Sequence, residues 1–312
     1  MSRILVIGAR GQIGSELVEA LAGVHGESSV IAADLRPPAK SSRVGFVTLD
    51  TLDGAMLRDV VARYRIEQVY QLAALLSARG EAVPIATWTI NVNGLLNVLE
   101  LAREGSVGRV FWPSSIAAFG PHSPRDDTPQ STVMDPGTMY GITKVAGERL
   151  CEYYFSRFGV DVRSVRYPGV IGGAAPPGGG TTDYAIEMFQ AAKRGESYRC
   201  FLAPDTRLPM IYMPDALRAM LELMDADAAR LTVRSSYNIA GCSFTPAELQ
   251  AAIARHAPGF DVVYAPDFRQ AIADSWPRTI DDGQARGDWG WKPEFDFDHL
   301  VQHMWETVSR DG

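Results

Sequence analysis

The sequence predicts an α/β fold, a doubly wound parallel sheet followed by a smaller carboxyl-terminal lobe. Short apolar runs alternate with longer stretches of helical period through the first two-thirds of the chain, the pattern of a parallel sheet covered on both faces. The first run, Ile4–Ile7, passes directly into Gly8-Ala9-Arg10-Gly11-Gln12-Ile13-Gly14, a glycine-rich turn that opens a helix. From about Gly169 the composition shifts, and Pro176-Pro177-Gly178-Gly179-Gly180 interrupts any regular element. At 312 residues and 46% hydrophobic, the chain can bury a large core; one continuous unit with an attached lobe fits better than two independent domains.

Taken in order, strands are expected at Ile4–Ile7, 30–33, 45–49, 68–72, 109–113 and 162–167. Helices are expected between them at 13–22, Gly54–Tyr64, 87–104 and 140–158. Residues 1–168 therefore form the expected dinucleotide-binding domain. Residues 169–312 form the expected substrate-binding lobe, with helices at 183–194 and 247–257 and a strand at 235–240 that returns to the main sheet. Such a lobe closes over the carboxyl ends of the strands, where open α/β sheets bind ligands.

A formal charge of −7 argues against nucleic acid or an acidic membrane as partner, since both reward a basic surface. Three widely separated cysteines, Cys151, Cys200 and Cys242, do not make a disulfide framework and suggest a reducing compartment. Ile4–Ile7 is too short for a signal-peptide apolar core, and no run is long enough to span a membrane. The expected location is the cytoplasm.

In the glycine turn, Gly8 permits the sharp bend, Gly11 lets the backbone approach a pyrophosphate, and Gly14 allows close helix–strand packing. Gln12 and Ile13 stand at the helix start, whose unpaired N–H groups favour phosphate. The Gly-x-x-Gly-x-x-Gly spacing is a variant of the Rossmann-type dinucleotide fingerprint. Asp34 ends the second strand, roughly twenty residues on, where a carboxylate accepts hydrogen bonds from the adenosine ribose. A 2′-phosphate would meet like charge there, so NAD is expected over NADP; Arg36 pulls in the other direction, and Leu35 lies between the two. Asp50 and Thr51 follow the third strand, and Leu72, Ala73 and Ala74 the fourth, where loops flank adenine and pyrophosphate.

Tyr140 and Lys144 stand four apart, on one face of an expected helix. A free tyrosine titrates near pH 10 and is a poor base at neutrality. A neighbouring ammonium favours the phenolate, so the sequence predicts a phenol made more acidic by Lys144 and able to take a proton from an alcohol. Ser115, just beyond the strand at 109–113, is the third expected group and would hold the substrate oxygen towards Tyr140; Ser114 is its neighbour. Ser77, Thr181 and Thr182 lie on loops expected at the sheet's carboxyl edge and suit an amino-acid carboxylate or ammonium. Asp183 is a further ammonium partner, Arg207 a weaker carboxylate partner, and Trp276 a pocket wall. The 176–182 segment is expected to close over substrate. No Cys/His cluster has metal-ligand spacing; His299 and His303 read as a helix surface.

These residues together resemble the extended short-chain dehydrogenases/reductases, the group that includes UDP-galactose epimerase, over nearly the whole chain. Within that group the sequence is similar to the short-chain type of L-threonine 3-dehydrogenases. The likeness rests on Pro113-Ser114-Ser115-Ile116-Ala117-Ala118-Phe119-Gly120-Pro121, on Tyr167-Pro168-Gly169-Val170-Ile171, and on Pro177-Gly178-Gly179-Gly180-Thr181-Thr182-Asp183-Tyr184. It continues through Thr206-Arg207-Leu208-Pro209-Met210 and through the stretch from Asp267 to Trp276-Pro277. The resemblance implies NAD as cofactor, with Tyr167, Gly169 and Val170 beside it, and oxidation of L-threonine at its 3-hydroxyl to 2-amino-3-oxobutanoate. It also implies a homodimer through the apolar faces of the helices at 87–104 and 140–158. A nucleotide-sugar epimerase or dehydratase is the rival within the same group. It generally carries an Asn shortly after the Arg-Tyr pair, where this chain has Pro168 and Gly169. A non-catalytic NAD sensor on this fold would be expected to lack Tyr140 or Lys144, and both are present.

Overall fold

A computed structural model describes residues 3–38, 42–172 and 179–308. Its first half runs β1 (Ile4–Ile7), α1 (Gln12–His25), β2 (Val30–Asp34), β3 (Gly45–Thr48), α2 (Gly54–Tyr64), β4 (Gln68–Gln71), α3 (Ser77–Ala82), α4 (Pro84–Trp88), α5 (Gly94–Arg103), β5 (Arg109–Phe111), β6 (Ser114–Ser115) and α6 (Met139–Phe158). There follow β7 (Val162–Arg163), β8 (Val165–Tyr167), β9 (Gly169–Ile171), α7 (Tyr184–Arg194), β10 (Tyr198–Cys200), β11 (Leu208–Tyr212), α8 (Met213–Asp225) and β12 (Tyr237–Asn238). The chain closes with β13 (Cys242–Phe244), α9 (Pro246–Ala254), β14 (Val262–Tyr264), α10 (Phe268–Asp274), α11 (Gly283–Trp289) and α12 (Phe297–Thr307).

The central sheet has the order β3-β2-β1-β4-β5-β7 and every pairing in it is parallel. Its doubly wound character is visible within β1. Ile4 and Val6 point into a core with Leu17 and Leu21 of α1 and Met220 and Leu223 of α8. Leu5 and Ile7 point the other way, against Leu57 and Val61 of α2 and Leu95 and Leu99 of α5. Successive strand side chains face opposite sides, so four apolar residues in a row serve two cores.

Two expected elements are divided, each for a physical reason. Pro113 has no N–H to donate, so the ladder of β5 stops at Phe111 and resumes as β6, which pairs with β8. The expected 162–167 strand accordingly changes partners: β7 stays beside β5, while β8 lies between β6 and β12. The expected return of the 235–240 segment to the main sheet is corrected: β12 pairs with β8 and lies in this second, three-stranded sheet. The expected helix at 87–104 is α4 and α5 joined by a π-helical turn, Thr89–Asn93. That turn carries the Asn91 side chain inward, where Oδ1 accepts from Leu75 N at 2.8 Å and Nδ2 donates to Thr143 Oγ1 at 3.1 Å.

After β9 the strands are short and the pairings local, β13-β11-β9 and β10-β14. Their helices close a third core, with Tyr184 and Phe189 of α7, Ile253 of α9, Ile272 of α10 and Leu300 of α12. Tyr140 belongs to that core although it sits on α6. Helix α8 was not among the expected elements, yet its buried Ala216, Ala219, Met220 and Leu223 stand at helical spacing. Pro176, Pro177 and Gly178 of the expected closing segment lie outside the described residues.

Candidate active site

A cavity of about 210 Å³ opens where β1, β4 and β5 end, between the sheet and the α7 side of the chain. The turn after β1 forms one end. Gly8 has φ +81°, and a Cβ there would stand 2.7 Å from Ala73 N; a Cβ on Gly14 would stand 2.2 Å from Gly8 O. Those two positions have no room for a side chain, and the turn is closed by Gly11 N donating to Gly8 O at 3.0 Å. Gly11 caps α1, and the first intrahelical bond comes from Ser15 N. Gln12, Ile13 and Gly14 thus present first-turn N–H groups to the cavity, and no acidic residue in that turn neutralises them. Gln12 Nε2 is buried without a hydrogen-bond partner. A cradle of this shape and polarity fits a pyrophosphate.

The opposite end holds the titratable groups. Thr138 caps α6, its Oγ1 accepting from Gly141 N at 3.1 Å, which sets the helix start and with it the positions of Tyr140 and Lys144. Both side chains line the cavity together with Ser115. Burial pushes the Tyr140 phenol up to about 12, opposed by a hydrogen bond with Ser115. Burial lowers Lys144 to about 7, opposed by the Glu148 and Cys151 charges. The expected direction for the phenol is therefore corrected: in the chain by itself desolvation outweighs the lysine. Lys144 Nζ donates to Pro113 O at 2.6 Å and stands 4.6 Å from the Trp112 ring centre and 5.3 Å from that of Tyr140. Ser115 Oγ accepts from Ala117 N at 3.2 Å.

A buried polar network, unseen in the sequence, backs these groups. Glu148 is fully buried and accepts from Ser114 Oγ at 2.6 Å and from Arg166 Nε and Nη2 at 2.9 and 2.7 Å. Ser114 is thereby turned towards Glu148, which separates its role from that of Ser115. Asn91 reaches the same helix through Thr143, whose hydroxyl donates to Tyr140 O at 2.7 Å. Only the Glu148 spacing, eight residues after Tyr140 on one helix face, left any signal in the sequence.

Of the other expected residues, Leu72, Ala74, Tyr167, Gly169 and Val170 line the cavity, as do Ser77, Thr181, Thr182 and Trp276. The Tyr167 hydroxyl is spent on Ala216 O at 2.8 Å, which leaves its ring and backbone for the cavity. Ser77 and Thr181 meet hydroxyl to hydroxyl at 3.3 Å. Asp183 also lines the cavity, but its Oδ2 accepts from Gly179 N and Gly180 N, both at 2.8 Å, and so holds the turn before α7. Arg207 lies elsewhere, paired with Glu248 at 2.5 Å. His303 is drawn off the expected surface to Tyr212 OH at 2.6 Å.

Asp34, Leu35, Arg36, Asp50, Thr51 and Ala73 do not line the cavity. Asp34 is nonetheless bound to the glycine turn, its Oδ2 accepting from Arg10 N at 3.0 Å. Leu35 is exposed beside it, and Arg36 N donates to Asp34 Oδ1 at 3.4 Å. Asp50 accepts from Leu52 N at 2.9 Å, and Thr51 Oγ1 from Gln71 Nε2 at 2.9 Å. Ala73 is the backbone against which Gly8 is pressed. Among the described residues no His/Cys/Asp/Glu group could hold a metal ion, and no helix is long and apolar enough to cross a membrane.

A family model described as the NAD dependent epimerase/dehydratase family matches residues 4–240. An uncharacterised epimerase/dehydratase of Staphylococcus haemolyticus is 45% identical over 99% of this chain and 98% of its own. Among solved structures, a GalE-like L-threonine dehydrogenase from Cupriavidus necator in its holo form is 55% identical, with TM-score 0.96, covering 97% of this chain and 99% of its own. A monomeric L-threonine 3-dehydrogenase from a metagenome is 47% identical, with TM-score 0.95 and 99% of each chain covered.

Proposed function

Because the chain belongs to the NAD-dependent epimerase/dehydratase family, with NAD as its cofactor, we propose that it oxidises L-threonine at the 3-hydroxyl to 2-amino-3-oxobutanoate. One observation carries the reading. Tyr140, Lys144 and Ser115 share a cavity with Ser77, Thr181 and Thr182, so a proton acceptor faces small hydroxyls suited to an amino acid. The 55% and 47% identity to L-threonine dehydrogenases over almost the whole of both chains supports the same substrate.

The Gly8–Gly14 turn and the start of α1 would hold the pyrophosphate, and Asp34 would take the ribose hydroxyls. Bound NAD⁺ would supply the hydride acceptor. Ser115 donates to or accepts from the substrate oxygen and orients the alcohol towards Tyr140. Tyr140 in its phenolate form would take the hydroxyl proton, and burial disfavours that form in the chain by itself. Lys144, anchored on Pro113 O, holds a hydrogen-bond donor one helical turn away, only partly protonated near neutrality because burial lowers it to about 7. Trp276, almost wholly buried, excludes water from one wall.

In this reading residues 1–168 serve the cofactor and 169–312 the substrate. The protein is a homodimer through α4 and α6, where Ile85, Trp88, Ile142 and Tyr153 leave apolar surface exposed. Light scattering on a sizing column tests that part, and a monomer at micromolar concentration ends it. The substrate is tested by following NADH with L-threonine, L-serine, 3-hydroxybutyrate and UDP-glucose in turn. The expected result is turnover of L-threonine well above the rest; turnover of UDP-glucose alone replaces this reading with the sugar-nucleotide one.

A further inference from the structure

A second cavity, of about 310 Å³, is joined to the first by a single buried carboxylate. Glu148 accepts from Ser114, which lines the first cavity, and from Arg166, which lines the second. Three guanidinium groups, those of Arg149, Arg166 and Arg234, face one carboxylate, Glu152, in its lining. The chain as a whole carries −7, so a concentration of cations here runs against the composition and costs self-repulsion.

Two of the three guanidiniums are fixed in place. Arg166 is held by Glu148 and by Asn238 Oδ1 at 3.0 Å. Arg234 lies 4.1 Å from the Phe155 ring centre, and its Nη2 donates to Ala228 O at 2.6 Å. Its ion pair is thin: Nη1 stands 3.4 Å from Asp161, whose carboxylate already receives Arg109 at 2.8 Å and Arg163 at 2.9 Å. Arg234 Nε is buried with no partner at all. Arg149 is exposed in the single chain, on the same stripe of α6 as Ile142 and Tyr153, and pairs with Glu152 at 2.7 Å. Arg166 is balanced by Glu148, and its Nη1 also donates to Gln130 O at 2.8 Å, so the charge left over is that of Arg234, already oriented; Ser131 and Thr132 add hydroxyls at the rim.

We propose that this cavity is a binding site for a small multivalent oxyanion, a metabolite whose charge is carried by phosphate or carboxylate groups. Guanidinium forks match both groups with paired hydrogen bonds, and the volume lies at the lower end of small-molecule sites. The test is calorimetric titration of the enzyme saturated with NADH, which keeps the phosphate cradle of the first cavity filled. The probes are inorganic pyrophosphate and citrate, each against sodium chloride at equal ionic strength. We expect saturable binding of at least one probe to one site, and which of the two binds more tightly tells phosphate from carboxylate. Arg149→Ala removes a guanidinium from the surface, and Ser131→Asp places a negative charge on the rim; each should weaken binding about tenfold or more, and a loss in either supports the site. Heat no different from the chloride control for both probes, or binding unchanged in both variants, overturns it.

Discussion

The two walls of the central cavity are held by different means. On the sheet wall the polar atoms are buried and committed: Lys144 to Pro113 O at 2.6 Å, Ser114 to Glu148 at 2.6 Å, Thr143 to Tyr140 O at 2.7 Å. On the lobe wall Thr181 meets Ser77 of α3 at a long 3.3 Å, and Thr182 is half-buried. Short, committed bonds fix a geometry before any ligand arrives, which is what proton transfer needs. Hydroxyls with bonding capacity to spare are what recognition needs. On the proposed function the difference would put chemistry on the sheet wall and selection on the lobe wall, and it predicts which kinetic constant each substitution will move.

The largest effect is expected at Tyr140. Tyr140→Phe keeps the ring in its core and deletes the proton acceptor, so kcat should fall by about 10²–10⁴-fold while NAD affinity, read by NADH fluorescence, stays within about twofold. A variant with near-normal kcat would take the chemistry off the sheet wall. Next comes Asp34→Ala, outside the cavity but bound to the glycine turn, where the proposed site puts the adenosine ribose. Loss of a charged acceptor costs about 1.5–3 kcal/mol, so kcat/KM for NAD should drop about 13–160-fold, and the preference over NADP should narrow by at least as much. Equal use of the two dinucleotides by the parent enzyme would remove Asp34 from cofactor selection.

How readable each wall was follows from its sequence separation. Ile4–Ile7 and the glycine turn are contiguous, and the structural reason for Gly8 and Gly14 is local: a backbone 2.7 Å or 2.2 Å from where a Cβ would be. Tyr140 and Lys144 lie one turn apart on α6, so helical period alone places both on one face. The Glu148–Arg166 pair bridges 18 residues and Ser114–Glu148 bridges 34, with no periodic pattern linking them. The π-turn at Asn91 answers to Leu75 and Thr143, partners that no propensity for residues 87–104 contains. Burial was the other hidden quantity. The expected acidity of Tyr140 counted the charge on Lys144 and not the desolvation of the phenol. Helix α8 is the opposite case, because its apolar spacing was in the sequence and needed only to be read.

Lys144 makes the desolvation measurable. Its value falls from 10.5 to about 7 on folding, because burial outweighs the favourable charge of Glu148. Between those two pH values the unfolded chain holds the proton and the folded chain releases it, so this group makes stability rise with pH across the window. Below pH 7 both states are protonated and the full desolvation penalty is present. Lys144→Met removes the penalty. Urea unfolding should find the variant's stability relative to the parent highest near pH 6, falling by about 1.4 kcal/mol per pH unit above 7 until it levels off. A difference that does not vary with pH would mean that the ammonium is solvated, and the committed character of the sheet wall would be lost.

The smallest effect belongs to the lobe wall. Thr181→Val keeps the shape of a side chain that is 1% exposed and removes its hydroxyl, leaving Ser77 without that partner. Because neither group touches the proton in flight, what is lost is binding made equally in the ground and transition states, and such losses raise KM and leave kcat alone. An uncharged hydrogen bond contributes about 0.5–1.5 kcal/mol, which corresponds to a rise in KM for L-threonine of about 2–13-fold. Steady-state rates at saturating NAD separate the two constants. A fall in kcat as large as that in kcat/KM would place Thr181 among the groups that act on the reacting atoms, and the division between the walls would have to be redrawn around the Ser77–Thr181 pair.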